Sequence, residues 1–242
     1  MLNLVRKAIG KGDRRAVDLR QHFPEASDSE IALIKSVLPF TMTSTERLWG
    51  LLQAVKYIQA RSVAGDFVEC GVWRGGSSML AASTLLATGR PRALWLYDTF
   101  QGMPAPTEED QKVDGRPAAD TWREKTDGEF SDWCRASLED VQANMARVAH
   151  PDVRYIVGKV EDTLSQELPA AIAILRLDTD FYASTKMELE KLYPLVPSGG
   201  VVIIDDYGSW GGAKQAVDEF LADQAPVLMN RLDYTGRIFI KP

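Results

Sequence analysis

From Asp66 onward, short apolar runs alternate with helical stretches, and this rhythm restricts the fold of the 242-residue chain more than any other feature. DFVEC (66–70), ALWLYD (93–98), Val153–Val157, AIAILRLD (171–178) and VVIIDD (201–206) read as strands. Helical patterns over Ser77–Ala87, Leu138–Val148, Ser184–Tyr193 and Gly212–Ala222 separate them. Strands that alternate with helices form a parallel sheet covered on both faces. Val227–Leu232 and Arg237–Ile240 are placed to form a terminal hairpin. Upstream, residues 1–62 read as a helical N-terminal region. Thr43-x-x-Glu46 has capping-box spacing, and Leu48, Leu51, Leu52, Val55 and Ile58 then recur on one helical face.

Composition removes several function classes. The longest uncharged apolar stretch, Leu192–Ile204, is interrupted by Pro194, Pro197 and Gly199-Gly200, so no membrane span is expected. A net charge of −6 gives no general attraction to phosphates, and nucleic acid is not an expected partner. The cysteines are Cys70 and Cys134 and the histidines His22 and His150, too few for a disulfide framework or a Cys/His zinc site. A reducing, cytoplasmic setting fits. The basic segment MLNLVRKAIGKGDRR lacks a continuous apolar core and reads as a solvated helical lead-in rather than a signal peptide.

Ligands of a parallel sheet bind outside the carboxyl ends of its strands. Those ends carry Glu69 and Gly71, Asp98, Gly158, Asp178 and Asp180, and Asp205 with Asp206. Any one of the acids could simply start a turn or cap a helix. Several converging on one edge repel each other and call for a cation. The first turn, ECGVWRGGSS, is glycine-rich and opens a helix, so it offers free N–H groups and a positive dipole to an anion. It is not GxGxxG, and Trp73 would obstruct a pyrophosphate, which argues against a nicotinamide oxidoreductase. An amino-acid carboxylate suits it better. Asp98 stands where an acid can accept both ribose hydroxyls. S-Adenosylmethionine, a nucleoside with an amino-acid tail, satisfies both halves; other nucleotides, or no cofactor at all, stay open at this point. Asp178, Asp205 and Asp206 form an oxygen donor set of the kind that holds Mg2+. Adjacent side chains alternate along a strand, so the strand should end at Asp205, with Tyr207-Gly208 making the turn. The alternative is that one aspartate caps the next helix. The polar stretch from Gln101 to Trp133 suits a lid over substrate, or a surface loop.

Taken in order, FTMTSTERLWGL, DFVECGVWRGGSS, YDTFQGMP, VGKVEDTL, LRLDTDFYAST, PSGGVVIIDDYGSW and GAKQAVDEF resemble the macrocin O-methyltransferase (TylF-type) family of class I S-adenosylmethionine-dependent methyltransferases. The resemblance runs from about Phe40 to Phe220. It implies an α/β, Rossmann-like fold with a seven-stranded, mostly parallel sheet whose last strand is antiparallel, and helices on both faces. Residues 1–62 would form the helical region and cofactor lid, and 63–242 the methyltransferase domain with a lid insertion near 101–133. The implied reaction is S-adenosylmethionine- and Mg2+-dependent methylation of a hydroxyl on a sugar or glycosylated natural product. A non-sugar vicinal diol, a catechol-like acceptor or a non-catalytic nucleotide-binding role are the alternatives. The partner would be a small-molecule glycoside, and a homo-oligomer is compatible.

By the same resemblance, Asp178, Asp205 and Asp206 are the metal ligands. Asp178 is the first choice for the base and Asp206 the second, with Asp180 or a metal-bound hydroxide as alternatives. Cofactor contacts are expected from Thr41, Met42, Thr43, Glu69, Gly71, Val72, Ser77, Asp98, Phe100, Val160, Asp162 and Asp178. Asp162 would touch adenine or serve as a helix N-cap.

Overall fold

The computed structural model describes residues 18–127 and 130–242, so the basic lead-in expected over residues 1–15 lies outside the described residues. In chain order the elements are α1 (Leu19–His22), α2 (Asp28–Val37), α3 (Thr45–Ala60), β1 (Asp66–Cys70), α4 (Gly76–Ala87), β2 (Leu94–Asp98) and α5 (Ala118–Lys125). A small ribbon of β3 (Thr126–Asp127) and β4 (Phe130–Ser131) follows, then α6 (Leu138–Met145), β5 (Val153–Val157), α7 (Val160–Thr163) and β6 (Ile172–Leu177). The chain closes with α8 (Tyr182–Leu192), β7 (Val201–Ile204), α9 (Gly211–Ala222), β8 (Asn230–Arg231) and β9 (Arg237–Ile240).

The main sheet has seven strands in the order β5-β2-β1-β6-β7-β9-β8. β5, β2, β1, β6 and β7 run parallel, and β9 runs antiparallel to both β7 and β8. From β1 the chain winds outward to β2 and β5, then returns to the other side at β6. Ligands bind at such a switch of direction. Register sharpens the point: Tyr97, Cys70, Leu177 and Ile204 are successive neighbours across four strands. Asp98, Gly71, Asp178 and Asp205 therefore emerge side by side.

Alternation along the strands divides the core. Phe67, Leu94, Leu96, Ile174 and Ile203 pack with Ile34, Leu48, Leu52, Val55, Ile58, Leu80 and Leu85 on one face. Val68, Trp95, Tyr97, Leu175, Val202 and Phe239 pack with Leu189, Leu192 and Val217 on the other. The N-terminal helices thus share their core with the sheet rather than forming a separate unit. Among the described residues, no helix is long and apolar enough to cross a membrane.

Three local readings change. Ser44, not Thr43, caps α3, its hydroxyl accepting from the Arg47 N–H at 3.2 Å. The Thr43 hydroxyl is drawn inward instead, where it accepts from Arg176 Nη2 at 2.9 Å. The expected strand 227–232 shortens to Asn230–Arg231, while Val227 and Met229 pack against the core cluster that holds Leu189 and Val217. The polar stretch 101–133 holds α5, and Met103 and Trp133 at its two ends pack with Ala118, Phe181, Trp210 and Ala213 in a third apolar cluster.

Candidate active site

The first turn and the second strand are tied together by one carboxylate. Asp98 Oδ2 accepts from the Val72 N–H at 2.7 Å and the Trp73 N–H at 3.1 Å, and Oδ1 accepts from the Phe100 N–H at 2.7 Å. Burial pushes the Asp98 carboxyl up, and these amides pull the other way. Gly71 has φ +82°, and a Cβ there would overlap the Asp178 carbonyl, so only glycine lets the turn lie against the end of β6. Trp73, Cys134 and Asp180, which line a cavity at these strand ends, also have positive φ, of 48°, 53° and 68°. Left-handed non-glycine residues of this kind cluster where a fold holds strain at a functional site.

Of the expected cofactor residues, Thr41, Met42, Thr43, Glu69, Gly71, Val72, Ser77, Asp98, Val160 and Asp178 line one cavity. Two do not. Phe100 is buried beside the cavity, its ring edge-on to Tyr155 at 6.5 Å, and it meets the site only through the backbone bond to Asp98. Asp162 is exposed on the outer side of α7 and is not among the residues lining the cavity, and Lys159 occupies the N-cap position, so the helix-cap role does not hold. Successive helical residues turn by about 100°, which places Asp162 roughly opposite Val160. Glu161 lines the cavity in its place, with Gly158 and Lys159.

The acidic centre contains two arginines that the reading of the sequence did not single out. Arg176 is 2% exposed, inside the buried strand β6. Its Nη1 donates to Glu69 Oε1 at 2.6 Å and Asp178 Oδ2 at 2.8 Å. Its Nη2 donates to Asp205 Oδ1 at 2.7 Å and to Thr43. Arg47, from α3, pairs with the other oxygen of Asp205 and, through Nε, with Asp233 Oδ2 at 3.0 Å. Burial opposes the Arg176 charge, yet the surrounding carboxylates hold it firmly protonated. Arginine in an otherwise apolar strand was the available signal, since a buried guanidinium requires buried carboxylates.

Asp178, Asp205 and Asp206 bring carboxylate oxygens within 4.8 Å of one another. Asp206 Oδ2 is buried without a hydrogen-bond partner. Burial and then mutual repulsion push the carboxyls of Asp178 and Asp206 well above the usual range. Asp180, in hydrogen-bonding contact with Asp206, is pushed up to about 7, chiefly by burial. The arginines address Glu69, Asp178, Asp205 and Asp233 but leave Asp180 and Asp206 uncompensated. An oxygen-only donor set with an orphaned carboxylate oxygen fits a hard divalent cation.

The macrocin-O-methyltransferase (TylF) family profile matches residues 11–241. The chain belongs to that family. It is 40% identical over 170 residues to the 8-demethyl-8-(2,3-dimethoxy-alpha-L-rhamnosyl)-tetracenomycin-C 4'-O-methyltransferase of Streptomyces olivaceus, covering 69% of this chain and 62% of that relative. The match thus spans less than two thirds of the relative's length. Demethyldecarbamoylnovobiocin O-methyltransferase of Streptomyces niveus is 36% identical over 185 residues, covering 75% of this chain and 68% of the relative. The structure of the O-methyltransferase NovP superposes with a TM-score of 0.72 at 33% identity, covering 84% of this chain and 82% of NovP. The fold of this TylF-family chain is the Rossmann-like class I methyltransferase fold, with its seven-stranded, mostly parallel sheet.

Proposed function

We propose that the protein transfers a methyl group from S-adenosylmethionine to a hydroxyl of a sugar-bearing small molecule, with Mg2+ at its acidic centre. One observation carries the reading: the row of strand ends opens the glycine-rich turn, Asp98 and the aspartate cluster into a single cavity. The Streptomyces olivaceus relative is named for 4'-O-methylation of a rhamnosyl compound, which supports the acceptor class.

The Val72 and Trp73 amides of the turn after Gly71 are taken by Asp98, so the N-terminus of α4, where Ser77 lines the cavity, would receive the donor's carboxylate. Asp98 holds that turn in shape, and Val160 and Glu161 border the nucleoside end. Asp178 and Asp206 would hold the metal, with Asp205 fixed behind them by two arginines. A divalent cation held there would supply acidification of an acceptor hydroxyl, by several pKa units. Removal of the hydroxyl proton belongs to a carboxylate. Asp178 was the first choice from the sequence, but its Oδ2 already serves Arg176. We assign the proton to Asp180, which lines the cavity and has no arginine partner. Trp73, Met42, Met103 and Pro104 supply apolar wall that keeps water from the electrophilic methyl group.

Calorimetry with S-adenosylmethionine, S-adenosylhomocysteine and NAD, with and without Mg2+, tests the class of function. The reading expects both adenosyl compounds to bind, without a requirement for metal, and NAD not to bind. NAD binding as tightly as S-adenosylhomocysteine would overturn it.

A further inference from the structure

α8 starts directly after the Asp178–Thr179–Asp180 turn and has no cap of its own, because its N-cap position is Phe181. The missing acceptor comes from the insertion, 72 residues earlier: Asp110 Oδ1 accepts from the Tyr182 N–H at 2.8 Å. Asp110 Oδ2 accepts from the Thr107 N–H at 2.7 Å and from the Thr107 hydroxyl at 2.9 Å. The side chain belongs to a residue only 2% exposed. Three donors and the positive end of an 11-residue helix stabilise the buried charge in place of a counter-ion.

The same segment also holds the turn that follows β7. Gly211 N–H donates to the Gln111 carbonyl at 2.6 Å, and Val113 N–H donates to the Ser209 carbonyl at 3.1 Å. Lys112 Nζ lies 4.9 Å from the centre of the Trp210 ring. A Cβ on Gly212 would crowd the Glu109 carbonyl at 3.0 Å and Asp110 Oδ1 at 3.1 Å, so the approach is close enough to favour glycine. Residues 107–118 therefore grip both segments that carry the aspartates: 178–182, and 205–212.

We propose that Asp110 is a positioning residue for methyl transfer. By capping α8 from the insertion, it fixes the Asp178–Asp180 turn, and it makes docking of residues 107–118 a condition for the geometry of the acidic centre. This rests on the reading of that centre as the reaction site.

Hydrogen–deuterium exchange on full-length wild-type, Asp110→Ala and Asp110→Asn protein tests it, together with Mn2+ binding by electron paramagnetic resonance and S-adenosylhomocysteine binding by calorimetry. In Asp110→Ala, exchange in peptides covering 180–186 and 107–118 should speed up by about tenfold, the equivalent of a lost helix cap. Mn2+ affinity should fall by about tenfold, as when a group supporting a metal ligand is removed. S-adenosylhomocysteine affinity should stay within about twofold, since Asp110 does not touch its cavity. Asp110→Asn keeps an oxygen for Tyr182 and should fall between wild type and alanine; if the alanine variant does not fold, the asparagine variant decides by the same localised rise. Wild-type Mn2+ binding in a folded Asp110→Ala variant, or an exchange increase spread evenly over the chain, would overturn the proposal. If wild-type protein itself binds neither Mn2+ nor S-adenosylhomocysteine, the reaction-site reading fails, and unchanged exchange at 180–186 would then dismiss the capping role separately.

Discussion

Replacing Arg176 with methionine isolates the electrostatics of the acidic centre, because methionine keeps most of the length and apolar contact of the arginine stem. The change removes four hydrogen bonds of 2.6 to 2.9 Å, three of them to carboxylates. Asp205 keeps Arg47, but Glu69, 1% exposed, keeps only the Ser78 hydroxyl. Breaking a buried pair by deleting one partner costs about 3–5 kcal/mol, mostly from the charge left behind. In a domain of this size each kcal/mol lowers Tm by about 2–4 °C, so Tm should fall by about 6–20 °C. Adding Glu69→Gln to the methionine variant removes the stranded charge and should recover a large part of that loss. Thermal unfolding followed by circular dichroism, near neutral pH with chelator present, measures both. An Arg176→Met protein melting within about 2 °C of wild type would refute the argument that Arg176 holds the centre together.

Three other outcomes follow from single positions. Gly71→Ala should abolish S-adenosylhomocysteine binding in calorimetry, because the new methyl group overlaps the Asp178 carbonyl and forces the first turn away from β6. Asp98→Ala should lower stability and cofactor affinity together, by about 1–3 kcal/mol, since three backbone amides lose their acceptor. Glu188, fully buried with Oε1 unpartnered and facing Cys70, Thr179, Glu161 and Asp178, has its carboxyl held well above the ordinary range by burial. An acid with a raised folded pKa stabilises the protein fully below its unfolded pKa and loses that contribution as pH rises. Glu188→Gln should therefore match wild type in Tm at about pH 4 and exceed it increasingly toward alkaline pH; a constant difference across that range would contradict the assignment.

The sheet was legible because its strands are nearly continuous apolar runs, and the residues ending them are local to each run. That is why Gly71, Asp98, Asp178, Asp205 and Asp206 could be named before their neighbours were known. What escaped notice depends on long-range pairing. Arg176 meets Glu69 across 107 residues, Arg47 meets Asp205 across 158, and Asp110 caps a helix 72 residues away. No local spacing encodes those partners. The helix-cap alternative for Asp162 failed for a different reason: α7 is a single turn, and local spacing does not fix where so short a helix starts. The polar composition of 101–133 likewise gave no sign of the apolar cluster in which Trp133 and Met103 pack with Phe181 and Trp210 at the starts of α8 and α9.

The most direct test of methyl transfer at this centre is a mass-spectrometric screen of glycosides and nucleotide sugars incubated with the protein and isotopically labelled S-adenosylmethionine, with Mg2+ and with EDTA. The account predicts label on a sugar oxygen of at least one acceptor in Mg2+, loss of that product in EDTA, and its return when Mg2+ is restored. Equal labelling of the same acceptor in EDTA would contradict the metal-holding role given to Asp178 and Asp206.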